Sequence, residues 1–303
     1  MKRFSICALV LLLSSCLVSQ NYTGFYDFEY NETNGKLLLK IKKEQLNELF
    51  LYQTSLSSGL GSNDIGLDRG KLGKTRLVKF EKSGKQILFI QKNTKFRALT
   101  ENPFEKKAVE DAFAFSVLHS FTIQKEANDH YLVDLSEYLL EDHYNVSKVL
   151  KDKDQGDYKF DKKRSAVYLE NTKAFPKNVE FETAITLKGK AENDWLKDVS
   201  MDADIVTTRQ HHSFIELPDE HYSPRIFKPS CGYFPMSFVD YASPIGEDMN
   251  VRYITRHRLE LDQLGNVVEP IVYYLDSGCP EPIRSALLEG GSWWAEAFEQ
   301  AGF

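Results

Sequence analysis

Three histidines lie close together in the sequence and are the side chains best suited to metal chemistry. Residues 210–214 read Gln-His-His-Ser-Phe, and His221 follows ten positions after His211. Zinc requires three or four ligands that converge on one point at about 2 Å. On a strand, His211 and His212 point to opposite faces and do not share one site. We therefore predict one histidine in the core and one at the surface, and we keep His211, His212 and His221 only as alternative metal ligands.

No other pattern in the chain predicts a catalytic residue. The sequence contains no Gly-x-Ser-x-Gly elbow, no Cys/His nucleophile arrangement and no His-Glu-x-x-His metal motif. The glycine-rich stretch 57–70 is not followed by Gly-Lys-Ser/Thr, so we interpret it as a long loop rather than a phosphate cradle. We predict no catalytic residue, no metal ligand and no cofactor within this chain.

The composition is that of a globular protein with about two domains. The 303 residues are 42% apolar and carry a net charge of −6, which argues against a nucleic-acid partner because such a partner requires a basic face. The 20 phenylalanines and 15 tyrosines favour a β-rich body.

The N-terminus has the pattern of an export signal, which we assign to residues 1–19. Lys2 and Arg3 precede a short apolar run, and the segment ends Leu-Ser-Ser-Cys at Cys16. This ending resembles the bacterial lipobox, in which the cysteine becomes the lipid-bearing first residue. Ordinary cleavage near Ser19 is the alternative. We predict an exported protein, periplasmic or anchored to the outer membrane, that touches a membrane only through lipid on Cys16.

Two further cysteines remain after export. Cys231 and Cys279 could form a disulfide in an oxidising compartment, although two isolated cysteines favour the unpaired state. A zinc-capping role for Cys231 is a third alternative, without a supporting motif.

Residues 20–265 predict a body made mostly of strands, with a few short helices. Alternating and apolar runs with turn signals between them predict strands at 36–41, 50–56, 76–81, 86–91, 121–123, 131–135, 179–187, 204–217 and 252–261. Segment 148–163 is charged and predicts a solvated connection.

Two helices are predicted in this body. Asn102 and Pro103 are start signals for a helix that continues to about His119, with Phe104, Ala108, Ala112 and Phe115 facing inward and His119 at its end. Ser136 caps a second, brief helix that carries Tyr138 and Leu139.

Residues 266–303 predict the first strand and helix of an α/β layer. An apolar run at 270–276 predicts the strand, and Pro282 begins a helix that is followed by Gly302. The helix has one apolar stripe, formed by Ile283, Ala286, Leu287, Gly290, Trp294, Ala297, Phe298 and Ala301. One such unit does not bury its own faces, so we expect the chain to be the front end of a longer protein.

Several longer stretches carry a family resemblance. Segments 59–70, 210–214, 240–246 and 252–259 resemble exported bacterial zinc-dependent metalloproteases, and 270–276 and 280–290 are similar to the start of their catalytic domain. The resemblance implies a metzincin-like catalytic domain whose His-Glu-x-x-His-x-x-Gly-x-x-His helix and Met-containing turn lie beyond Phe303. No zinc ligand or general base therefore transfers to a residue of this chain.

The overall expectation is an α+β, mostly β protein with three parts: 1–19 as signal, 20–265 as β-rich domain and 266–303 as the start of a catalytic domain. The resemblance implies an N-terminal part of a zinc metallopeptidase that is inactive alone, with zinc required by the full-length family. Its partners would be the catalytic domain and a peptide substrate. The alternative is a stand-alone periplasmic or surface lipoprotein that acts as a binding module.

Overall fold

A computed structural model describes residues 19–303, which form two compact units. The described part of the first unit is 19–94 and 110–218, and the second unit is 95–109 and 219–303. The predicted signal peptide, except Ser19, and the lipidation candidate Cys16 lie outside the described residues. The predicted boundary between residues 265 and 266 falls inside the second unit and stays a prediction.

The described chain is mostly β-structure, as the sequence predicts. The strands are β1 (Ser19–Tyr22), β2 (Asp27–Asn31), β3 (Lys36–Lys42), β4 (Phe50–Ser58), β5 (Leu72–Ser83), β6 (Gln86–Gln91), β7 (Phe96–Arg97), β8 (Ser116–Glu126), β9 (His130–Asp134), β10 (Lys159–Phe160), β11 (Ala166–Val167), β12 (Lys173–Ala174), β13 (Asn178–Lys188), β14 (Ile205–Glu216), β15 (Pro235–Asp240) and β16 (Asn250–Ile254). The α-helices are α1 (Pro103–Ala112), α2 (Ser136–Leu139), α3 (Val146–Asp152), α4 (Asp194–Val199) and α5 (Ile283–Gln300). Short 3₁₀ turns occupy Lys43–Gln45, Lys162–Arg164, Leu169–Asn171 and Pro229–Cys231.

The first unit is a near-closed barrel built from one antiparallel sheet of thirteen strands. The strand order is β1-β2-β3-β9-β8-β6-β5-β4-β14-β13-β10, and β11 and β12 also pair with β13. A hydrogen bond from Phe25 N–H to Phe175 O, 2.8 Å long, joins the two ends of this sheet. Near-closure of this kind leaves few unpaired strand edges. Unpaired edges are where an open sheet can pair with other chains and aggregate.

Alternation along the strands fills the barrel. On β4 the inward positions are Phe50, Tyr52, Thr54 and Leu56, while the residues between them are partly exposed. The interior contains two separate apolar clusters. A large aromatic cluster includes Phe50, Tyr52, Phe80, Phe89 and Phe214. A smaller cluster contains Leu56, Ile65, Leu67, Val146, Leu150, Tyr158, Leu187, Leu196 and Val206.

Most of the predicted strands are confirmed. The hairpin across residues 82–85 is β5–β6, the hairpin through Asn128 and Asp129 is β8–β9, and the predicted strands near 36, 50, 179 and 204 are β3, β4, β13 and β14. Alternating apolar and polar residues near a turn are a local signal, which explains this success. The predicted strand 252–261 is shorter and ends at Ile254.

The predicted helix over 103–119 is wrong beyond Ala112. Its start is confirmed, since Asn102 Oδ1 accepts the N–H of Phe104 at 3.0 Å. His119, however, lies in β8 opposite Phe89 of β6, and not at a helix end. The inward orientation of Phe104 and Phe115 is also wrong, because their side chains are exposed. Pairing with β6 outweighs the weak local helical preference of residues 113–119.

The prediction of a solvated connection over 148–163 is wrong in part. Leu150 and Tyr158 are buried in the smaller apolar cluster. Gln155 is also buried, and its Oε1 accepts the N–H of Leu196 at 3.0 Å. Many lysines and aspartates surround these residues, so their apolar pattern is not recognisable in the sequence. The short helix at Ser136 is confirmed, with Tyr138 and Leu139 buried.

The second unit contains a three-stranded sheet of order β16-β15-β7, in which β15 runs antiparallel to β16 and parallel to β7. The predicted strand over 270–276 is wrong: this segment has no regular structure, and Tyr273 and Tyr274 are exposed. Within residues 19–303 no neighbouring strand pairs with it, and a strand requires a partner for its backbone groups. Cys231 and Cys279 are unpaired, which agrees with the favoured alternative.

The predicted terminal helix is confirmed as α5, which directly follows Pro282. Gly302 has a φ of +89°, and the N–H of Phe303 bonds to Phe298 O, so the left-handed end is also confirmed. None of the helical residues from Ile283 to Gln300 is buried. No helix in residues 19–303 combines the length and hydropathy needed to cross a membrane.

Candidate functional site

Strand β14 presents two different polar groups on its two faces. His212 is fully buried inside the barrel, whereas His211 is half-buried on the outer face. The prediction of one core and one surface histidine is therefore confirmed, and its cause is the two-residue repeat of a strand. His221 belongs to the second unit, where its exposed side chain lies 3.4 Å from Asp219.

On the outer face, His211 lies between two glutamates of β13. Its Nε2 is 2.7 Å from Glu180 Oε2, and its Nδ1 is 3.4 Å from Glu182 Oε2. The hydroxyl of Ser213 also donates to Glu180. Arg209 Nη1 lies 3.3 Å from Glu182 Oε1, and its guanidinium stacks on the Tyr168 ring. The register pairs Glu182 with His211 and Glu180 with Ser213 across β13 and β14.

The positive charge of His211 and the negative charges of Glu180 and Glu182 stabilise each other. Burial alone would lower the pKa of His211, but the hydrogen bonds and charges of Glu180 and Glu182 outweigh it and raise the pKa to about 9. Burial acts to raise the pKa of each glutamate, and the hydrogen bonds from His211 and its neighbours reverse this and lower it. Ser213 bonds to a carboxylate rather than to the imidazole, so the group lacks the serine–base contact that nucleophilic catalysis requires. The hydrogen bonds of His211 to Glu180 and Glu182 join β14 to β13, and we call this group the clamp.

We expect the clamp to lose its stabilising effect at alkaline pH. The folded pKa of His211 lies above the ordinary value of about 6.5, so its contribution is complete below pH 6.5 and disappears as the pH rises through 9. The free energy of unfolding should fall by about 3 kcal/mol over this interval. Urea denaturation at a series of pH values measures it. A His211→Gln variant should remove the slope between pH 7 and 9, and an unchanged slope would contradict the assignment.

Inside the barrel, a polar layer separates the two apolar clusters. We define it by inward-facing residues of β4, β5, β13 and β14: Thr54, Arg76, Thr183, Thr208, Gln210 and His212. The side chains of Tyr52, Tyr138 and His143 border it. Along the inner face of β14 the order is Phe214, His212, Gln210, Thr208, Val206, polar in the middle and apolar at both ends.

The polar layer is held by ring stacking and by specific hydrogen bonds. Tyr52 and His212 stack with ring centroids 6.0 Å apart, and the Tyr52 hydroxyl is 2.9 Å from His212 Nδ1. The His143 ring lies 5.5 Å from the His212 ring. Arg76 lies over the Tyr52 ring at 5.5 Å. Gln210 Oε1 accepts the backbone N–H of Tyr144 at 3.0 Å.

Both interior histidines are neutral near pH 7. Burial is the largest influence on His212, followed by His143, His211 and Arg76, and together they lower its pKa well below the ordinary value. Burial also lowers the pKa of His143, against the opposing effect of its bond to the Tyr138 carbonyl. Burial raises the pKa of Tyr52 well above its ordinary value. Arg76 is therefore the one formal charge within the polar layer as defined above.

The structure does not bring the three candidate metal ligands together. His211 and His212 point to opposite faces, and His221 lies in the other unit. Within residues 19–303 no group of three or more His, Cys, Asp or Glu side chains is arranged to hold a metal ion. Tyr52, Arg76, His143 and Gln210 were not predicted from the sequence as members of a site. A usable signal was present on β5, because Arg76 continues the inward positions of Val78 and Phe80, which are apolar.

Comparison with known proteins places most of these residues within one family. Residues 70–262, more than half of the chain, match the domain of unknown function DUF5117. The chain belongs to this family. The DUF5117 match includes Arg76, His143, Gln210 and His212, and hence most of the polar layer. No curated protein and no solved structure shows a significant match to the chain.

Proposed function

We propose that this chain is the non-catalytic N-terminal part of an exported zinc-dependent metallopeptidase of the metzincin-like type. Residues 266–303 would be the start of the catalytic domain, and α5 would pack against the rest of that domain. Zinc and the peptide substrate would then bind to that domain, and the chain described above would be inactive alone. Export, with lipid on Cys16 as the anchor, is part of the same proposal.

The exposure of α5 is the observation that carries the proposal. This eighteen-residue helix has a defined left-handed end but buries none of its residues. Five large apolar side chains are at least half exposed: Ile283, Leu287, Leu288, Trp293 and Trp294. Each would contribute about 1.5–3 kcal/mol if fully buried. Ile283, Leu287 and Trp294 lie on one side of α5, and exposed large apolar side chains grouped in this way are typical of an interface.

The identity of the partner is inferred from the sequence of the same segment. Residues 280–290 and 270–276 resemble the start of the catalytic domain in exported zinc-dependent metalloproteases, and segments 59–70 and 210–214 resemble their N-terminal parts. The order of these segments along the chain is that of the family. The proposed partner of α5 is therefore the catalytic domain of the same polypeptide.

Substitutions on α5 test the proposal in the complete gene product. We expect its reading frame to encode a His-Glu-x-x-His helix and the protein to cleave peptides only with zinc bound. Leu287→Ala and Trp294→Ala should each destabilise the catalytic domain by about 2–4 kcal/mol, because they remove buried apolar groups. Thermal inactivation of peptidase activity, followed beside zinc content, measures the effect.

Two glutamates on the side of the helix away from Leu287 and Trp294 provide matched controls. Glu289 and Glu296 each follow a stripe residue by two positions, which is about 200° around a helix. Glu289→Ala and Glu296→Ala should leave thermal inactivation unchanged. Equal effects of all four substitutions, or no effect of any, would contradict the docking role of α5. A reading frame without a zinc motif would contradict the peptidase proposal itself.

A second candidate function is a ligand-binding module, which is the alternative expected from the sequence. The specific observation in its favour is the polar layer, whose donors are enclosed in a barrel that has its own apolar core. The two proposals are compatible, because a binding module can be joined to a peptidase.

A further inference from the structure

Three buried side-chain nitrogen atoms of the polar layer have no hydrogen-bond partner among the described residues. They are Arg76 Nη1, Gln210 Nε2 and His212 Nε2. The Gln210 orientation follows from its Oε1, which accepts the N–H of Tyr144. When the Tyr52 hydroxyl donates to His212 Nδ1, the remaining hydrogen of the neutral imidazole is on Nε2. A buried donor without an acceptor costs about 1–3 kcal/mol.

These donors lie within one small region. Arg76 covers the Tyr52 ring at 5.5 Å, and that ring stacks on His212 with an angle of 5° between the planes. Gln210 is two residues from His212 on the same face of β14, a separation of about 6.5–7 Å along a strand. The charge of Arg76 is near enough to lower the pKa of His212. One acceptor group between these side chains could receive bonds from more than one of them.

We propose that the polar layer is a binding site for a carboxylate group, held by Arg76, Gln210 and His212. This inference does not depend on the peptidase proposal. A carboxylate has two acceptor oxygens in a plane, which match the planar N–H groups of a guanidinium and an amide. Arg76 is only half-buried, so the site has a side that solvent reaches.

The charges around the site favour a single negative charge. Arg76 supplies one positive charge, and His212 and His143 stay neutral because burial lowers the pKa of both. Two carboxylates, those of Glu141 and Asp142, are near enough to act on His143, and Glu141 lies 4.0 Å from His143 Nε2. Within the described residues no ion pair joins either of them to Arg76. A doubly charged phosphate would have one charge uncompensated. A free organic acid and the C-terminus of a peptide each carry a carboxylate with a single negative charge, which is what the site requires.

Three probes distinguish these sources: sodium acetate, a tripeptide with a free C-terminus and the same tripeptide amidated at its C-terminus. Binding is measured from the melting temperature of the barrel and from the ¹H–¹⁵N signals of the histidine imidazoles. We expect acetate or the free tripeptide to raise the melting temperature and to shift the His212 signal. Response to acetate alone identifies a free acid, and response to the free tripeptide identifies a peptide C-terminus.

Substitutions of Arg76 complete the test. Arg76→Gln should weaken binding about 10- to 100-fold, because it removes the charged donor. Arg76→Lys keeps the charge without the planar fork and should give a smaller loss. Lys79→Gln removes the same charge from the outer face of β5 and serves as the control, which should bind normally.

Two results would overturn the proposal. The first is no response to acetate or to the free tripeptide in a folded protein, which would assign the donors to water. The second is binding of the amidated tripeptide that is as tight as binding of the free tripeptide, which would show that the carboxylate is not recognised. If Arg76→Gln fails to fold, the comparison of Arg76→Lys with Lys79→Gln decides the role of the guanidinium.

Discussion

Replacement of Phe214 by alanine is expected to lower the free energy of unfolding of the barrel by about 3–5 kcal/mol. Phe214 is completely buried at the centre of the aromatic cluster. Its ring centroid lies between 5.3 and 6.3 Å from six other rings, those of Tyr26, Phe50, Tyr52, Phe80, Phe89 and Phe181. Removal of this ring would leave a cavity that six neighbours cannot close without moving from favourable rotamers.

Near-UV circular dichroism during urea denaturation measures this effect, because its signal comes from packed aromatic rings. Phe104→Ala is the matched control, since the same side chain is removed from a position that is 83% exposed. The control should change the unfolding free energy by no more than about 0.5 kcal/mol. A similar small change for Phe214→Ala would show that the aromatic cluster is not packed as described.

Acidification from about pH 6.5 to pH 5 is expected to destabilise the barrel through His212 and His143. Burial is the main cause that lowers the pKa of both below the ordinary value of about 6.5, so below that pH the unfolded chain binds protons that the folded chain does not. Each histidine should cost up to about 2 kcal/mol at pH 5. The opposing charge of Glu141 and the reinforcing charge of Arg76 both act on His143.

Other groups of the barrel do not obscure this pH interval. His211 has a raised pKa and is protonated in both states below pH 6.5, and Glu180 and Glu182 have lowered pKa values and lose their effect only below about pH 4.5. The unfolding free energy measured in urea at each pH should therefore fall between pH 6.5 and 5. His212→Gln should reduce this slope by about half, whereas His221→Gln, on an exposed loop, should not change it. A flat profile in the unsubstituted protein would contradict the buried, neutral state of both histidines.

Two adjacent residues of β14 thus give the barrel opposite responses to pH. Stability that depends on His211 is lost on the alkaline side, and stability that depends on His212 is lost on the acidic side. The difference comes from the environment alone, because His211 faces two carboxylates and His212 faces rings and a guanidinium. The maximum of stability should lie near pH 6.5, between the two intervals.

The sequence predicted much of the barrel from local signals. Hairpins such as β5–β6 can be predicted because apolar and polar residues alternate on both sides of a turn. The two faces of β14 also follow from the two-residue repeat, which is why His211 and His212 were assigned correctly to surface and core. The failures occur where a distant partner decides the outcome. Residues 116–119 belong to β8 because they pair with β6, and residues 270–276 are not a strand because no described strand pairs with them.

The residue types alone determined the β-rich class, the capped terminal helix and the separation of the adjacent histidines, because each depends on spacing within a few residues. Only the tertiary structure decided which side chains meet. Tyr52 and His212 are 160 positions apart. Arg76 comes from β5, and His143 comes from the turn between α2 and α3. The polar layer exists because β5, β4, β14 and β13 are consecutive neighbours in the sheet and their register places these inward positions at the same level. No local pattern contains that information, since it depends on strand order and register across the whole sheet.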